Sequence, residues 1–246
     1  MKADSLIIIP TYNENENIES VIKEVLLQGN EFDVLIIDDN SPDGTSNTVK
    51  KMQQNKKYKG SGRINLIERE KKMGLGSAYI LGFNWALDKQ YDFIFEMDAD
   101  FSHDPATLKK LRKVLIEENV DLVLGSRYKK GVNVINWPMS RLLLSYFANF
   151  FAKTITGVPL SDLTSGFKGI KKTVLKNLNF DKIDAEGYGF QIEIHFYTYF
   201  KGFKIREIPI VFTERRTGDS KMSKKIIWEA FWLVWKLGLR RLIKRI

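Results

Sequence analysis

The sequence predicts an α/β protein, with a mainly parallel sheet covered by helices on both faces, plus a C-terminal amphipathic helix. Three observations carry this. Short apolar runs of β type alternate with helical patterns through the first half of the chain, as strand–helix–strand units do. Those runs are apolar throughout instead of alternating with polar residues, as strands buried on both faces must be. Finally, 246 residues, 43% hydrophobic and 28% charged, suffice for one core with an appendage and are too ordinary in composition for a disordered or fibrous chain.

The series begins with a strand over 6–9, closed by Pro10, and a helix over 15–27. Met1 to Pro10 carries Asp4 and only a short apolar run, so it reads as a strand and lacks the apolar length of a secretion signal. A strand over 34–37 follows, then a helix over about 45–56; a strand over 64–67, then a helix from Gly76; and a strand over 93–97, then a helix opening at Pro105 with Ser102 or Asp104 as cap. A strand over 120–124 completes the first half. Beyond Ser126 come a helix over 138–153, a polar segment over 162–169, a helix near 190–199, a strand-like run over 204–212, a polar loop over 213–223 and the terminal helix. We expect residues 1–223 to form one body, with a first half to 125 and a second half over 126–223 that completes the same site, and residues 224–246 to form the appended helix.

Composition removes several chemistries. There is no cysteine and only two histidines, His103 and His195, so disulfides and thiolate metal sites are excluded and a histidine-based zinc site is unsupported. No phosphate-loop motif, no complete dinucleotide fingerprint at Gly74-Leu75-Gly76 and no Gly-x-Ser-x-Gly elbow occurs. The net charge is +9, yet from Arg215 onward ten lysines and arginines face only Asp219 and Glu229. A basic excess confined to one tail points to an anionic surface or ligand there, and against a nucleic-acid groove across the fold.

In parallel sheets ligands bind beyond the carboxyl ends of the strands. Here those ends carry Pro10 to Glu14, Asp38 to Thr45, and Asp98-Ala99-Asp100, an edge rich in carboxylates. Asp98 and Asp100 are two apart in extended chain, so their carboxylates leave one face and suit Mg2+ or Mn2+ with phosphate oxygens. Asp38 and Asp39 follow a buried strand and need hydrogen-bond partners or ligand donors; Asp43 to Thr45 read as an Asx turn and helix cap. On the helix from Pro138, Arg141, Ser145 and Asn149 recur every four residues through an apolar sequence. With Arg127 they suit a ligand with an anionic head and a hydrocarbon tail, the bland alternative being a buried arginine–carboxylate pair. On the terminal helix, Trp228, Phe231, Trp232, Trp235, Leu239, Leu242 and Ile246 share one side, and Lys236, Arg240, Arg241, Lys244 and Arg245 fall on the other, an apolar tryptophan face opposite a basic face. That pattern fits a helix lying in a membrane interface, too short in apolar length to span, or a helix packed on the body or a partner.

Taken together, Pro10-Thr11-Tyr12-Asn13-Glu14-Asn15-Glu16-Asn17-Ile18, Asp38 to Thr45, Met97-Asp98-Ala99-Asp100, Gly125-Ser126-Arg127-Tyr128, Asp162-Leu163-Thr164-Ser165-Gly166-Phe167, Gly187-Tyr188-Gly189-Phe190-Gln191 and the loop from Arg215 to Ser223 resemble glycosyltransferase family 2, in particular its dolichol-phosphate (polyprenol-phosphate) mannosyltransferase branch. The resemblance implies a nucleotide-binding Rossmann-like fold of GT-A type that moves mannose from GDP-mannose to a dolichyl or polyprenyl phosphate with Mg2+ or Mn2+. It implies that Pro10, Tyr12, Glu14 and Asp39 hold base and ribose, Asp98 and Asp100 the metal, Arg215 and Lys221 the diphosphate, and Arg127, Arg141 and Ser145 the acceptor phosphate. Asp98, Asp100, Arg127 and Arg215 would then be the catalytic set. Where members of this branch often carry Gln or His, this chain has Ser102. The expected setting is the cytoplasmic face of a membrane, bound peripherally through the terminal helix, with room for a membrane-anchoring subunit or a homo-oligomer.

A phosphate monoester is already an anion at neutral pH, so this chemistry needs no general base, and single displacement with inversion follows. Two other readings stay open on sequence. One is a family 2 enzyme using UDP-glucose or a hydroxyl acceptor, for which Asp162 is the candidate base. The other is a non-catalytic module binding anionic lipid.

Overall fold

The computed structural model describes residues 3–58, 63–183, 187–214 and 224–243. Its first half alternates as expected: β1 (Ser5–Thr11), α1 (Asn15–Leu27), β2 (Phe32–Asp38), α2 (Thr45–Gln54), β3 (Ile64–Glu68), α3 (Leu75–Leu87), β4 (Phe93–Glu96), α4 (Thr107–Glu117) and β5 (Leu122–Ser126). The second half holds β6 (Val134–Ile135), α5 (Met139–Thr156), β7 (Lys168–Lys171), α6 (Lys172–Asn177), a 3-10 turn (Phe180–Lys182), α7 (Tyr188–Phe200), β8 (Ile205–Pro209), β9 (Phe212–Thr213) and α8 (Lys224–Leu242).

Seven strands form one sheet in the order β3-β2-β1-β4-β7-β5-β8, parallel except for β7, which runs against both β4 and β5. The order reverses between β1 and β4, and such a reversal opens a crevice at the carboxyl ends of the strands. Alternation along the strands builds a core on each face. Leu6, Ile8, Leu35 and Ile37 join α3, α7 and α8 on one side, whereas Ile7, Ile9, Val34 and Ile36 join α1, α2 and α4 on the other. Each such side chain, fully buried, contributes roughly 1.5–3 kcal/mol.

Strand β7 is absent from the sequence reading, whose polar segment over 162–169 takes in its first two residues. The reason is local: its residues Lys168, Gly169, Ile170 and Lys171 lack a β-type apolar pattern. The strand exists because Lys168 finds Glu96 across the β4 pairing, and because Gly169 lets Phe95 lie where any Cβ would stand 2.5 Å from its ring. The run over 204–212 divides into β8, on the sheet edge, and β9, which pairs with β6.

Helix α8 docks on α5 and α7 through Leu233, Val234 and Leu237. Gly238 permits the approach, since a Cβ there would sit 2.6 Å from the Ile155 side chain. This corrects the expected basic face: the side opposite the tryptophans carries the packed stripe of Leu233, Val234 and Leu237, because it is the side that meets α5 and α7, with Arg240 donating to the Tyr197 hydroxyl. Trp228, Trp232, Trp235, Leu239 and Leu242 remain exposed. Among the described residues no helix is long and apolar enough to cross a membrane.

Candidate active site

Three loops leave the carboxyl ends of β1, β2 and β4, and each turns through a non-glycine residue in the left-handed region: Asn13 at φ 58°, Asn40 at 56° and Phe101 at 60°. Asparagine tolerates this conformation, while a phenylalanine adopts it only where its surroundings enforce it. The first two loops are laced together. Thr11 Oγ1 donates to Asp38 Oδ1 (2.9 Å), and the amides of Asn13, Glu14 and Asn15 donate to Ser41 Oγ, Thr45 Oγ1 and Asp43 Oδ2 at 3.0, 3.0 and 2.9 Å. Asp38 also accepts from Ser41 N at 2.9 Å. Asp38, Asp43 and Thr45 are thus struts: Asp38 finds the partners its burial requires and Asp43 forms the expected turn, but Thr45 is not the helix cap, since Gly44 holds that position and the Thr45 hydroxyl donates to Asp43.

Asp39 is buried and already engaged. It pairs with Arg69 and accepts from Met73 N at 3.2 Å, while Arg69 reaches Ser77 Oγ (2.7 Å) and Gly74 O (3.1 Å). This fastens the connection between β3 and α3 against the end of β2. The Lys72 ammonium lies 4.2 Å from the centre of the Tyr12 ring, and Glu14 accepts from Asn17 Nδ2 at 3.2 Å. Pro10, Tyr12, Glu14 and Asp39 therefore share one rim of the crevice.

At the end of β4, Asp98 keeps 39% of its side chain exposed, whereas Asp100 is buried and accepts from Ser102 N at 3.0 Å. Asp104, not Ser102, receives the amide that opens the following helical turn, from Ala106 at 2.9 Å. His103 stacks on Phe167 at 4.7 Å, and its Nδ1 accepts from Asp98 N at 3.2 Å. Burial pushes its imidazole down to about 4, so it is neutral at pH 7. Beneath lies a fully buried triad: Lys168 sits 3.4 Å from Glu96 and donates to Gln191, whose Nε2 donates to Glu96 at 2.7 Å. Burial raises the Glu96 carboxyl and lowers the Lys168 ammonium, each opposed by the other's charge.

This corner fits a hard divalent cation. Two carboxylates line it, and the buried hydroxyl of Tyr79, which burial and the charges of Asp98, Glu96 and Asp100 hold well above its usual pKa, has no hydrogen-bond partner. Among the described residues no group of three His, Cys, Asp or Glu side chains gathers. Mg2+ and Mn2+ accept such a site, since water and phosphate oxygens complete their coordination.

Asp98 and Asp100 form one end of a cavity of about 390 Å³ whose walls include Arg127, Arg141, Ser145, Phe147 and Phe231. Arg127 is clamped. Its Nε and Nη2 donate to Asp162 at 2.8 and 2.6 Å, its amide donates to the same carboxylate at 2.9 Å, and Nη2 reaches Thr164 Oγ1 at 2.7 Å. Asp162 has no exposure. Arg141 lies over the Trp137 indole, 4.3 Å from its centre, and pairs with Glu214, both partly exposed. Ser145 Oγ accepts from Tyr128 OH at 2.7 Å, and Asn149 ties α5 to Thr164 N at 3.2 Å. Arg141 and Ser145 of the α5 stripe therefore line the cavity together with apolar α5 and α8 side chains, while Asn149 is buried behind them. The predicted Arg215 and Lys221 lie outside the described residues.

Residues 6–178 match the family described as Glycosyl transferase family 2. The chain belongs to that family. Polyprenol monophosphomannose synthase of Mycolicibacterium smegmatis is 39% identical over 241 residues, covering 98% of this chain and 89% of the relative. Undecaprenyl-phosphate mannosyltransferase of Micrococcus luteus is 39% identical over 234 residues, covering 95% and 93%. The crystal structure of glucosyl-3-phosphoglycerate synthase from Mycobacterium tuberculosis in complex with Mn2+, uridine-diphosphate and phosphoglyceric acid shares the fold, with a TM-score of 0.71 at 17% identity over 96% of this chain and 78% of that one.

In this family 2 chain, sequence reasoning missed Arg69, His103 as a packed neutral base, Trp137, Tyr128, and the triad of Glu96, Lys168 and Gln191. The triad left a signal: a carboxylate inside the apolar Phe93–Met97 run and a lysine between Phe167 and Ile170 each demand a buried partner. Glu214 left none, because its role depends on Arg141, far away in sequence.

Proposed function

We propose that the protein transfers mannose from GDP-mannose to a polyprenyl (dolichyl-type) phosphate at a membrane surface, with inversion at the anomeric carbon. One observation carries the reading: a single cavity has carboxylates at one end, arginines along its wall and an apolar floor. The floor continues into exposed apolar side chains of α5 and α8, among them Phe147, Phe150, Trp228 and Trp232. An anionic head with a hydrocarbon tail fits that sequence of surfaces, and both 39%-identical relatives are named for polyprenyl-phosphate mannosyl chemistry.

Pro10, Tyr12, Glu14 and Asp39 bind base and ribose, with Arg69 fixing the Asp39 carboxylate. Arg215 and Lys221 take the donor diphosphate. Asp98 and Asp100 hold Mg2+ or Mn2+, which when bound neutralises charge on the departing diphosphate. Arg127 and Arg141, with Ser145, orient the acceptor phosphate, already an anion with a second pKa near 6. Its oxygen attacks the anomeric carbon as the bond to the diphosphate breaks and the leaving group keeps the electron pair. No proton need move. The hydroxyl-acceptor reading loses support, because its candidate base Asp162 is wholly buried and bonded through both oxygens to Arg127.

Residues 1–223 carry out transfer, and α8 seats the enzyme peripherally on the cytoplasmic face, its tryptophans in the interface. Vesicles containing polyprenyl phosphate, labelled GDP-mannose and Mn2+ or Mg2+ test this. Chelator-sensitive transfer of label into the organic phase is the expected result. Transfer from UDP-glucose alone would overturn the donor, and transfer only to polyprenol would overturn the acceptor.

A further inference from the structure

The two arginines of the cavity wall turn different edges to the cavity. Arg127 spends its Nε–Nη2 edge on Asp162 and Thr164, through three side-chain hydrogen bonds. Arg141 donates to Glu214 through Nη1, and its Nε and Nη2 have no partner among the described residues. The Nε–H and Nη2–H of an arginine point the same way, so this open edge is the one that can grip two oxygens at once. The ion pair does little to hold it in place, because Arg141 and Glu214 expose 21% and 26% of their side chains. The stronger hold is the Trp137 indole, whose centre lies 4.3 Å from the Arg141 guanidinium carbon. A guanidinium resting on a π face keeps the N–H groups of its rim open to other partners.

The indole is itself fixed. Its ring meets that of Phe212 nearly at right angles at 5.4 Å, Phe212 meets His103 in the same way at 5.4 Å, and His103 stacks on Phe167. The β6–β9 pairing backs this column, with Phe212 N donating to Asn133 O at 3.0 Å and Glu214 N to Ile135 O at 3.1 Å. The buried Nε1–H of Trp137 has no hydrogen-bond partner, so packing of the ring, not a polar tie, sets its place. Trp137, Arg141 and Arg127 all line the cavity.

We propose, resting on the acceptor reading above, that Trp137 is a positioning residue: it holds Arg141 with its Nε–Nη2 edge open before the acceptor phosphate arrives. The indole contact is present with and without ligand, so the contact itself adds nothing to affinity. Its effect is on ordering. A long side chain that already stands in place does not lose its rotamer freedom when the ligand binds. Arg127 needs no such platform, because its carboxylate and hydroxyl partners already order it. Without the indole, Arg141 is left to one partly exposed ion pair and must be ordered at the expense of binding.

A double-mutant cycle tests this, read by calorimetric titration of the full chain with farnesyl monophosphate, a short soluble acceptor probe. Trp137→Leu should weaken binding about fivefold, the ordering cost of one long side chain. It should raise the KM for polyprenyl phosphate in step and leave the KM for GDP-mannose at the wild-type value. Trp137→Phe, which keeps a π face and drops the unpartnered N–H, should stay within about twofold of wild type. In an Arg141→Met background, Trp137→Leu should have no further effect, because no guanidinium is left to position. The same fivefold loss in that background would mean that the indole touches the ligand itself, and would overturn the proposal. So would unchanged binding in Trp137→Leu, an equal loss in Trp137→Phe, or parallel weakening of donor binding, the mark of a general structural role. If Arg141→Met binds the probe as tightly as wild type, the acceptor reading fails, and the role of Trp137 with it.

Discussion

The proposed donor rim and the proposed acceptor wall hold their charged side chains in different ways. At the rim, the loops after β1 and β2, each with a left-handed residue, are laced together by amide and hydroxyl donors, Arg69 holds Asp39, and Asp98 stays partly exposed. On the wall, charges are positioned by other charges, with Arg127 on Asp162 and Arg141 on Glu214. The contrast teaches that Asp98 can change without unfolding its surroundings, whereas stability is at stake wherever a pair is buried, as Arg127 with Asp162 is on the wall and Arg69 with Asp39 is at the rim.

The largest expected effect breaks the rim alone. Asp98→Asn should lower transfer by roughly 10³-fold, several kcal/mol of lost charge stabilisation, with a melting temperature close to wild type; initial rates and thermal melts check both halves. On the wall the order inverts. Arg127→Met strands Asp162 and should cost about 3–5 kcal/mol of stability, while Arg141→Met should leave urea unfolding nearly unchanged and raise the acceptor KM with little change in that for donor. Equal destabilisation by the two arginine variants would erase the distinction. Next, Gly238→Val forces α8 away from Ile155 and should cost about 1–3 kcal/mol, with weaker sedimentation on anionic vesicles.

The smallest effect concerns α7, which touches both regions, with Gln191 on Glu96 and His195 Nδ1 donating to Leu163 O at 3.0 Å. Burial holds His195 well below its ordinary pKa, and its buried Nε2 has no hydrogen-bond partner. The unfolded chain therefore takes up a proton that the folded chain refuses. Stability from this group is fully present above about pH 6.5 and is lost as pH falls below it, at up to about 1.4 kcal/mol per pH unit. His195→Asn should flatten that acid slope in denaturant titrations at pH 5 to 7, leaving the contribution of His103.

The parallel half of the fold was legible because its strands are apolar on both faces; α1 begins and ends where the sequence reading places it. β7 was not, since Lys168 and Gly169 gain strand character only from Glu96 and Phe95 across the sheet. The same division governs the site. Asp98 and Asp100 are readable because they follow an apolar strand run, although β4 ends at Glu96 and the turn beyond it, not extended chain, places them, one part exposed and one buried; Arg141, Ser145 and Asn149 are readable from helix spacing. Which arginine is clamped, and by what, depends on loops distant in sequence. The terminal helix shows both at once: its tryptophan stripe was visible, while the docking of Leu233, Val234 and Leu237 onto α5 and α7 required the tertiary fold.

The most direct test of a cavity that brings two anions together for one displacement is the anomeric configuration of the lipid-linked product, read by NMR after transfer from GDP-mannose to polyprenyl phosphate. The account predicts a mannosyl phosphodiester of configuration opposite to the donor's. Retained configuration would contradict it.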